Sequence, residues 1–359
     1  MSQSRPRVTY VIDDLGHGGA QRQLYGALRA LGDAGDFSVV VLSGITEPYA
    51  TRIRSLGVRV DVIPRRSGFE MGRVLALANK LQELDAEIAH AMLDSSDAYT
   101  FLAARARRIP AVLSLRSDRL QAAGLRARML AWMMRHAPAV TVNSEAGRDF
   151  LLGHIGLAAE RVCLVPNIVD VPDAVPAPSA QAPIIGAVGR LVEMKRFDVL
   201  LDSLPTVRRA VPGARVVLVG DGPARAALED RVRRGDIAGG VEFVGAVDDA
   251  APLIAGFACL VVASVYEGLP NAALEALARG VPVVTVAAGD LPRIVTDGIT
   301  GVMARDASQE ALSEAIVRAL TTPALRESAA REGPRLMRDR YSPERARDQL
   351  VALYSRLLG

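Results

Sequence analysis

Short runs rich in valine and isoleucine alternate with longer amphipathic stretches along almost the whole chain. This alternation is typical of βαβ units, in which parallel strands form a sheet and helices cover both of its faces. We therefore predict an α/β protein built on parallel sheets. The predicted strands span residues 8–12, 38–42, 58–63, 88–91, 111–115, 139–142, 162–165, 184–188, 215–219, 241–244, 259–262 and 282–286.

The proline-rich segment DVPDAVPAPSAQAP, residues 170–183, interrupts this alternation. Proline cannot donate a hydrogen bond to a sheet and restricts the residue before it, so we expect an interdomain linker here. A chain of 359 residues also exceeds one ordinary core. We predict two doubly wound Rossmann-like domains facing each other across a cleft, with ligands at the carboxyl ends of the strands. The predicted parts are 1–170, the linker 171–183, 184–341 and a final helix 342–359.

Several stretches between the predicted strands have the apolar spacing of helices. The final helix, for example, opens with Ser342 in the N-cap position and Pro343 in the first turn. The other predicted helices span 21–31, 72–84, 120–135, 197–207, 224–233, 271–278 and 308–320.

The cysteines and the N-terminus predict a cytoplasmic protein. Cys163 and Cys259 stand alone in the sequence, so we expect two reduced thiols. The apolar run at 8–12 is short and is followed by Asp13 and Asp14, which argues against a signal peptide. No apolar run approaches the roughly 18–20 residues of a membrane-spanning helix.

The net charge of +3 lies in the first half of the chain, where residues 105–135 carry eight arginines and a single acid, Asp118. No interleaved aromatic residues or recognition motif accompany these arginines, so we do not expect nucleic acid as a partner. Peripheral contact with an anionic membrane surface is the better prediction. The predicted helix 120–135, which contains Trp132, is expected to pack in the core, with docking on lipid as the alternative.

A glycine-rich stretch, DLGHGGAQRQL at 14–24, follows the first predicted strand. Gly16, Gly18 and Gly19 would allow a tight turn whose N–H groups meet a helix start, which favours an anion. A dinucleotide-binding fingerprint would need a third glycine where Gln21 stands. This disfavours a dinucleotide oxidoreductase, while a plain strand-to-helix turn remains an alternative.

Two cations follow the first strand of the second domain, in GAVGRLVEMKRFDVLLDSL at 186–204. Arg190 can donate two parallel hydrogen bonds and Lys195 adds a compact charge, a combination that suits a diphosphate. Lys195 is one of only two lysines, the other being Lys80, in a chain otherwise rich in arginine. A pair of solvated basic residues is the alternative. A second glycine turn, VGDGP at 219–223, is a weaker sign of a nucleotide pocket.

Two carboxylates lie eight positions apart in EGLPNAALE, residues 267–275. Glu267 precedes a predicted helix, and Glu275 lies about 6 Å along its axis from Asn271. The helix start favours a leaving diphosphate, with one acid on either side to accept hydroxyl hydrogen bonds. Apolar residues surround Glu275 in the sequence, so its carboxylate needs a polar partner. Exposed surface acids are the alternative interpretation.

Together, the segments GHGGAQ, VNSEAG…VPNIVD, GRLVEMKRFDVLL and VGDGP and the Glu267–Glu275 pair resemble the retaining glycosyltransferases of the large family 4. The resemblance covers nearly the whole chain in order. It implies a GT-B fold whose last helix crosses back to the first domain. It also implies transfer of a sugar, of hexosyl type, from a nucleotide-diphosphate sugar to a glycan or lipid-linked acceptor in polysaccharide or lipopolysaccharide biosynthesis.

The resemblance also implies roles for individual residues. Gly18 and Gly19 would approach the donor diphosphate or sugar, and Arg190 and Lys195 would hold the diphosphate. Glu275 would bind the ribose hydroxyls and Glu267 would touch the donor sugar as a catalytic group. Backbone groups of the helix start would assist it: Gly268, Leu269 and Asn271.

No cofactor and no metal are expected, because the chain lacks an Asp-x-Asp sequence. Cations and the helix start would stabilise the charge that develops on the leaving group instead. A departing phosphate oxygen would take the acceptor proton, so no side-chain base is needed. The paired glutamates should therefore not be interpreted as the acid and base of a hydrolase.

One segment, HAMLDSSD at 90–97, departs from the family pattern, because Met92 stands where relatives often have a second histidine. The acceptor-side candidates are therefore His90, either catalytic or structural, and Asp94. Loops at 64–72 and 94–99 are expected to shape acceptor choice. Alternative functions are a nucleotide-sugar epimerase of similar fold, which needs no acceptor, and a non-catalytic sensor of nucleotide sugars.

Overall fold

The structure is a computed structural model, which describes residues 5–64, 70–117, 120, 124–174, 183–235 and 237–359. The chain forms two compact units. Unit 1 comprises Met1–Ile168 together with Pro343–Gly359, and unit 2 comprises Val169–Ser342. Among the described residues, no helix combines the length and the apolar character needed to cross a bilayer.

Unit 1 contains a seven-stranded sheet in the order β3-β2-β1-β4-β5-β6-β7, in which every pairing is parallel. Successive side chains of a strand point to opposite faces, so each strand contributes to two cores. Its strands are β1 (Arg7–Ile12), β2 (Asp36–Val41), β3 (Arg59–Val62), β4 (Ile88–Ala91), β5 (Ala111–Leu115), β6 (Ala139–Val142) and β7 (Val162–Leu164).

Helices cover both faces of this sheet. One core contains buried residues of α3, α4 and α5, and the other contains buried residues of α1, α2 and α14. The helices of unit 1 are α1 (Gly19–Leu31), α2 (Tyr49–Arg54), α3 (Met71–Glu83), α4 (Asp94–Arg107), α5 (Gly124–His136), α6 (Glu145–Phe150) and α14 (Pro343–Leu358).

Unit 2 repeats this architecture with six parallel strands in the order β10-β9-β8-β11-β12-β13. Its strands are β8 (Ile184–Val188), β9 (Arg215–Val219), β10 (Val241–Gly245), β11 (Cys259–Val262), β12 (Val283–Thr285) and β13 (Gly301–Met303). Its helices are α7 (Phe197–Ala210), α8 (Arg225–Arg234), α9 (Ala251–Ala255), α10 (Asn271–Ala278), α11 (Leu291–Ile294), α12 (Gln309–Thr321) and α13 (Pro323–Arg340).

The predicted fold class, two doubly wound parallel α/β domains, is confirmed. The predicted loop at 94–99 is wrong, because these residues form the start of α4. Two of their polar side chains are buried and bonded to the chain: the Ser96 hydroxyl accepts a hydrogen bond from the Leu93 N–H, and the Asp97 carboxylate accepts one from the Ser114 N–H. Much of the predicted linker and of the predicted loop at 64–72 lies outside the described residues.

The last helix, α14, is anchored in the core of unit 1. The Tyr354 hydroxyl is hydrogen-bonded to the Tyr10 hydroxyl at 2.5 Å and to Nδ1 of His90 at 2.8 Å. Near the end of the helix, the Arg356 guanidinium donates to the Glu160 carbonyl at 2.5 Å. Tyr354 is 1% exposed, so its hydroxyl exchanges no hydrogen bonds with bulk water.

We expect Tyr354→Phe to lower the free energy of unfolding of unit 1 by about 1–3 kcal/mol, because two buried polar groups lose their partner. Urea unfolding followed by the emission of Trp132, the only tryptophan in the chain, measures this. Tyr25→Phe, at a half-buried tyrosine of α1, is the control and should change the free energy by less than about 0.5 kcal/mol. Equal effects of the two variants would show that the Tyr354 hydrogen bonds do not anchor α14.

Candidate functional site

The candidate site in unit 2 lies where three neighbouring strands end. Strand β8 pairs in parallel with β9 on one side and with β11 on the other. Parallel strands share a carboxyl edge, which is where open α/β sheets bind their ligands. The segment after β8 carries Arg190 and Lys195, the segment after β9 contains VGDGP, and the segment after β11 carries Glu267.

Backbone hydrogen bonds join these three segments. The Leu191 N–H donates to the Asp221 carbonyl at 3.0 Å, and the Val265 N–H donates to the Met194 carbonyl at 3.0 Å. A Cβ at position 220 would lie 2.0 Å from the Gly189 carbonyl oxygen, so only glycine allows this approach. The first glycine of VGDGP is therefore explained by packing against the segment after β8.

Lys195 and Glu267 form a short hydrogen-bonded ion pair between Nζ and Oε1. Lys195 ends a single 3₁₀ turn, Glu193–Lys195, and the Val265–Met194 backbone bond fixes the distance between the two segments. The side chains are only 23% and 11% exposed, so solvent and salt screen the pair less than a surface pair. The structure thus brings together two residues that the sequence predicted separately.

A loop after β12 holds the turn that contains Glu267. The Asp290 N–H donates to the Gly268 carbonyl at 3.0 Å. Gly289 has a φ of 51°, and a Cβ there would lie 2.1 Å from the Glu267 carbonyl oxygen and 2.5 Å from that of Gly268. This contact was not predicted from the sequence. The available signal was the Gly289-Asp290 pair, which lies three residues after a predicted strand and predicts a turn but not its partner.

Helix α10 begins directly after this turn, at Asn271. Pro270 precedes it with extended backbone, and no side chain caps the helix start. Gly268 and Leu269 are buried against the sheet edge, so their predicted contribution is limited to backbone groups. The aligned peptide dipoles give the helix start a partial positive charge.

Glu275 lies in the second turn of α10 and is 5% exposed. It is four residues from Asn271, so both lie on the same face of the helix. Apart from Glu275, residues 273–278 are apolar and buried. Burial of a carboxylate among apolar side chains is costly unless polar groups bond to it, which makes Glu275 a constrained position.

Arg190 is exposed directly after the end of β8. No hydrogen bond or ion pair joins its guanidinium to another side chain within the part of the chain that the structure describes. The two predicted diphosphate ligands therefore differ: Lys195 is paired with a carboxylate, whereas Arg190 projects into solvent. Among the described residues there is no group of three or more His, Cys, Asp or Glu side chains arranged to hold a metal ion.

The glycine loop of unit 1 differs from the predicted tight turn. Gly18 has an extended backbone with φ of −174°, and neither Gly16 nor Gly19 has a positive φ. The loop is instead held by Asp14, whose Oδ1 accepts hydrogen bonds from the Gly16 N–H and from Nε2 of Gln21, both at 2.9 Å. Gln21, which replaces the third glycine of a dinucleotide fingerprint, thus has a structural role. Gly18 and Gly19 are exposed at the start of α1.

His90 is 2% exposed, and both of its ring nitrogens have protein partners. Nδ1 is bonded to the Tyr354 hydroxyl at 2.8 Å and Nε2 to the Thr141 hydroxyl at 3.3 Å. Burial, reinforced by the positive charge of Arg116, lowers the pKa of His90 to about 3. This environment favours the structural alternative over catalysis. Asp94 is the first residue of α4, and its side chain lies outside what the structure describes.

Several solved structures share this architecture. The structure of Anabaena Alr3699/HepE in complex with UDP-glucose superposes with a TM-score of 0.87. The match covers 98% of this chain and 99% of that one at 19% sequence identity, so it establishes the fold alone.

Two family models match the chain. The model of glycosyl transferases group 1 matches residues 182–322, and the model of glycosyltransferase family 4 matches residues 17–172. Together the two models cover most of the chain, which therefore belongs to the glycosyltransferases that these models, group 1 and family 4, describe.

Two relatives illustrate the range of similarity. EpsF of Bacillus subtilis (strain 168), provisionally named as a glycosyltransferase, is 29% identical over 329 residues, covering 84% of this chain and 81% of EpsF. The lipopolysaccharide core biosynthesis glycosyltransferase LpsE of Rhizobium meliloti (strain 1021) is 30% identical over 174 residues, covering 48% of this chain and 50% of LpsE.

We expect Gly289→Ala to destabilise unit 2 and to displace the turn that carries Glu267, because the new Cβ meets two backbone carbonyls. Gly298→Ala is the matched control: its φ is 74°, but the nearest atom to its Cβ is an arginine side chain at 3.5 Å. The control isolates the cost of the left-handed backbone, about 1–2 kcal/mol. Calorimetric melting should show a larger loss for Gly289→Ala. Equal decreases in melting temperature for the two variants would mean that the loop after β12 does not hold the turn that contains Glu267.

We expect His90 to make unit 1 less stable in acid. Above pH 6.5, His90 is neutral in the folded and in the unfolded chain. Between pH 6.5 and about pH 3, only the unfolded chain binds a proton at His90. The unfolded state then binds more protons, so stability falls with pH by up to about 1.4 kcal/mol per unit. His90→Gln should flatten this slope between pH 6.5 and 4.5, as measured by urea unfolding with Trp132 emission. An unchanged slope in His90→Gln would instead indicate an accessible, titrating His90.

Proposed function

We propose that this protein is a retaining, metal-independent glycosyltransferase that transfers a sugar from a nucleoside-diphosphate donor to a glycan or lipid-linked acceptor. The observation that carries the proposal is the Lys195–Glu267 ion pair beside the start of α10, with Arg190 on the same sheet edge. The bound UDP-glucose of the HepE structure supports a nucleotide-sugar donor for this fold.

The diphosphate is proposed to bind between Arg190, Lys195 and the helix start. A donor diphosphate brings negative charge next to Lys195, whose ammonium would then lie between the Glu267 carboxylate and a phosphate oxygen. An ammonium donates three hydrogen bonds and can serve both partners. Arg190 projects into solvent and can donate two parallel hydrogen bonds to phosphate oxygens.

The sugar and the ribose are proposed to bind the two carboxylates. Glu267 is held by Lys195 close to the turn 267–270, where it can accept hydrogen bonds from donor-sugar hydroxyls. Glu275 and Asn271, on one face of α10, would accept and donate hydrogen bonds to the ribose hydroxyls.

Departure of the nucleoside diphosphate creates negative charge on a phosphate oxygen. Arg190, Lys195 and the first N–H groups of α10 would stabilise this charge without rearranging, which is the role a metal ion has in other transferases. The same oxygen would accept the acceptor proton on the face from which it departs, which accounts for retention. His90 then has a packing role and no role in proton transfer.

The acceptor is proposed to be a growing glycan or a lipid-linked sugar of polysaccharide or lipopolysaccharide type. The similarity to LpsE, a lipopolysaccharide core biosynthesis enzyme, supports this class. Free thiols at Cys163 and Cys259 and the arginine-rich stretch of unit 1 support a cytoplasmic location with peripheral contact to an anionic membrane.

We expect one of UDP, GDP, ADP or dTDP to raise the melting temperature, with EDTA making no difference. A ligand at a hundredfold its dissociation constant adds about 2.7 kcal/mol of stability. Lys195→Ala and Arg190→Ala should each weaken binding at least tenfold, since each removes a charge-assisted hydrogen bond of about 1.5–3 kcal/mol. Thermal shift and calorimetric titration measure this.

Lys80→Ala is the control, because it removes the only other lysine, which is also ion-paired with carboxylates. It should bind the nucleotide as the wild type does. Near-normal sugar transfer by Lys195→Ala would refute the diphosphate assignment. Loss of the thermal shift in EDTA would refute metal independence, and a shift with NAD alone would refute the donor class.

A further inference from the structure

Helix α5 of unit 1 is apolar on two opposite faces. One face is buried in the core through Leu130 and its neighbours on the inner side of the helix. On the outer side, Leu125, Met129 and Trp132 are 80%, 41% and 48% exposed. Their spacing of four and three residues places them in one stripe along the helix. We call Leu125, Met129 and Trp132 the α5 stripe.

The charged residues that α5 itself carries beside the α5 stripe are all positive. At about 100° per residue, Arg128 and Arg135 lie on one side of the stripe and Arg126 lies on the other. All three arginines are exposed, and α5 contains no acidic residue. An exposed apolar stripe between rows of arginine is the pattern of helices that lie in the boundary between lipid headgroups and acyl chains.

A second exposed apolar pair lies in the same helix layer. Met71 and Leu75 of α3 are 61% and 60% exposed, and they are four residues apart. Helices α3 and α5 both pack against α4 in one core. Each follows a strand of the parallel sheet, so both begin at its carboxyl edge. The exposed apolar side chains therefore concentrate near the carboxyl edge of the sheet of unit 1, where open α/β sheets commonly bind ligands.

We propose that the outer face of α5 docks on an anionic membrane, with the α5 stripe at the headgroup boundary and Arg126 and Arg128 on the lipid phosphates, whereas Arg135 donates to the Ile155 carbonyl and adds only its charge. Tryptophan side chains favour the boundary between headgroups and acyl chains, because the ring is apolar and its N–H is polar. The inference deepens the proposed function by locating the contact for a lipid-linked acceptor, but lipid binding is measured without any sugar transfer.

A second copy of the chain fits the outer face of α5 less well than an anionic membrane does. In a two-fold symmetric dimer the same surface meets itself, so the stripe would bring the arginines of both copies together. Like charges facing each other in an interface are unfavourable. An anionic bilayer covers the stripe and neutralises the arginines at the same time.

Trp132 tests the proposal directly, because it is the only tryptophan in the chain and lies in the α5 stripe. Titration of the full chain with vesicles of phosphatidylglycerol and phosphatidylcholine should shift its emission to shorter wavelength. Lipids brominated on the acyl chain should quench it. Pure phosphatidylcholine or high salt should reduce binding at least tenfold, because screening weakens the attraction of the arginines.

The double variant Arg126→Glu with Arg128→Glu should bind the anionic vesicles more than tenfold less tightly, since each basic residue near such a surface contributes about fivefold. The matched control is Arg233→Glu with Arg234→Glu on α8, where the arginines are 67% and 75% exposed in unit 2. This control should bind as the wild type does. Leu125→Ser with Met129→Ser should weaken binding without changing the melting temperature.

Three results would overturn the proposal. In the first, the protein sediments with the vesicles while Trp132 emission stays unchanged, which would place the contact on another surface. In the second, the protein does not sediment with anionic vesicles. In the third, Trp132 emission shifts with protein concentration in the absence of lipid, which would assign the stripe to a second copy. The thermal shift caused by a nucleotide does not depend on lipid binding. A failure of the membrane proposal can therefore be distinguished from a failure of the proposed glycosyltransferase function.

Discussion

Parallel pairing of β8 with β9 and β11 is the constraint on which the candidate site depends. Because the three strands run in the same direction, the segments that leave them emerge at one edge and must pack against one another. Two backbone hydrogen bonds, from Leu191 to Asp221 and from Val265 to Met194, then fix how they lie. Lys195 and Glu267, separated by 72 positions in the chain, meet as a consequence.

The Lys195–Glu267 pair is better understood as a positioning device than as a source of stability. Partly buried charges lose hydration, and their attraction often does no more than offset that loss. The pair does fix the rotamers of two side chains before any ligand arrives, which is what electrostatic stabilisation of a leaving group requires. An ammonium suits this place, because it can donate to a carboxylate and a phosphate in different directions, whereas a guanidinium favours planar, two-point contacts.

The architecture could be predicted from the sequence because buried parallel strands are continuous apolar runs, and β11 at Cys259–Val262 has the predicted bounds. The start of α4 was predicted wrongly as a loop, because the Ser114 N–H that bonds to the Asp97 carboxylate lies on the distant strand β5. Strand β13 was missed, since its three residues, Gly301–Met303, form too short a run. The Gly289-Asp290 pair predicts a turn, but nothing in the local sequence predicts its contact with residues 267 and 268, which only the folded chain shows.

Helix α5 shows why an amphipathic pattern does not by itself decide between core packing and lipid docking. The sequence of the predicted helix 120–135 is compatible with both and favours the core. The structure buries one apolar face of the helix and exposes another, so core packing accounts for only part of its apolar surface.

The net charge differs between the two halves of the chain in the same sense. The first half, which contains α5, carries the net charge of +3, and the second half, which contains the candidate nucleotide site, is neutral. A soluble nucleotide can be recognised by a few fixed cations in a nearly neutral unit, because geometry provides the selectivity. A flat anionic surface offers no such geometry, and binding to it requires several unpaired arginines next to exposed apolar side chains.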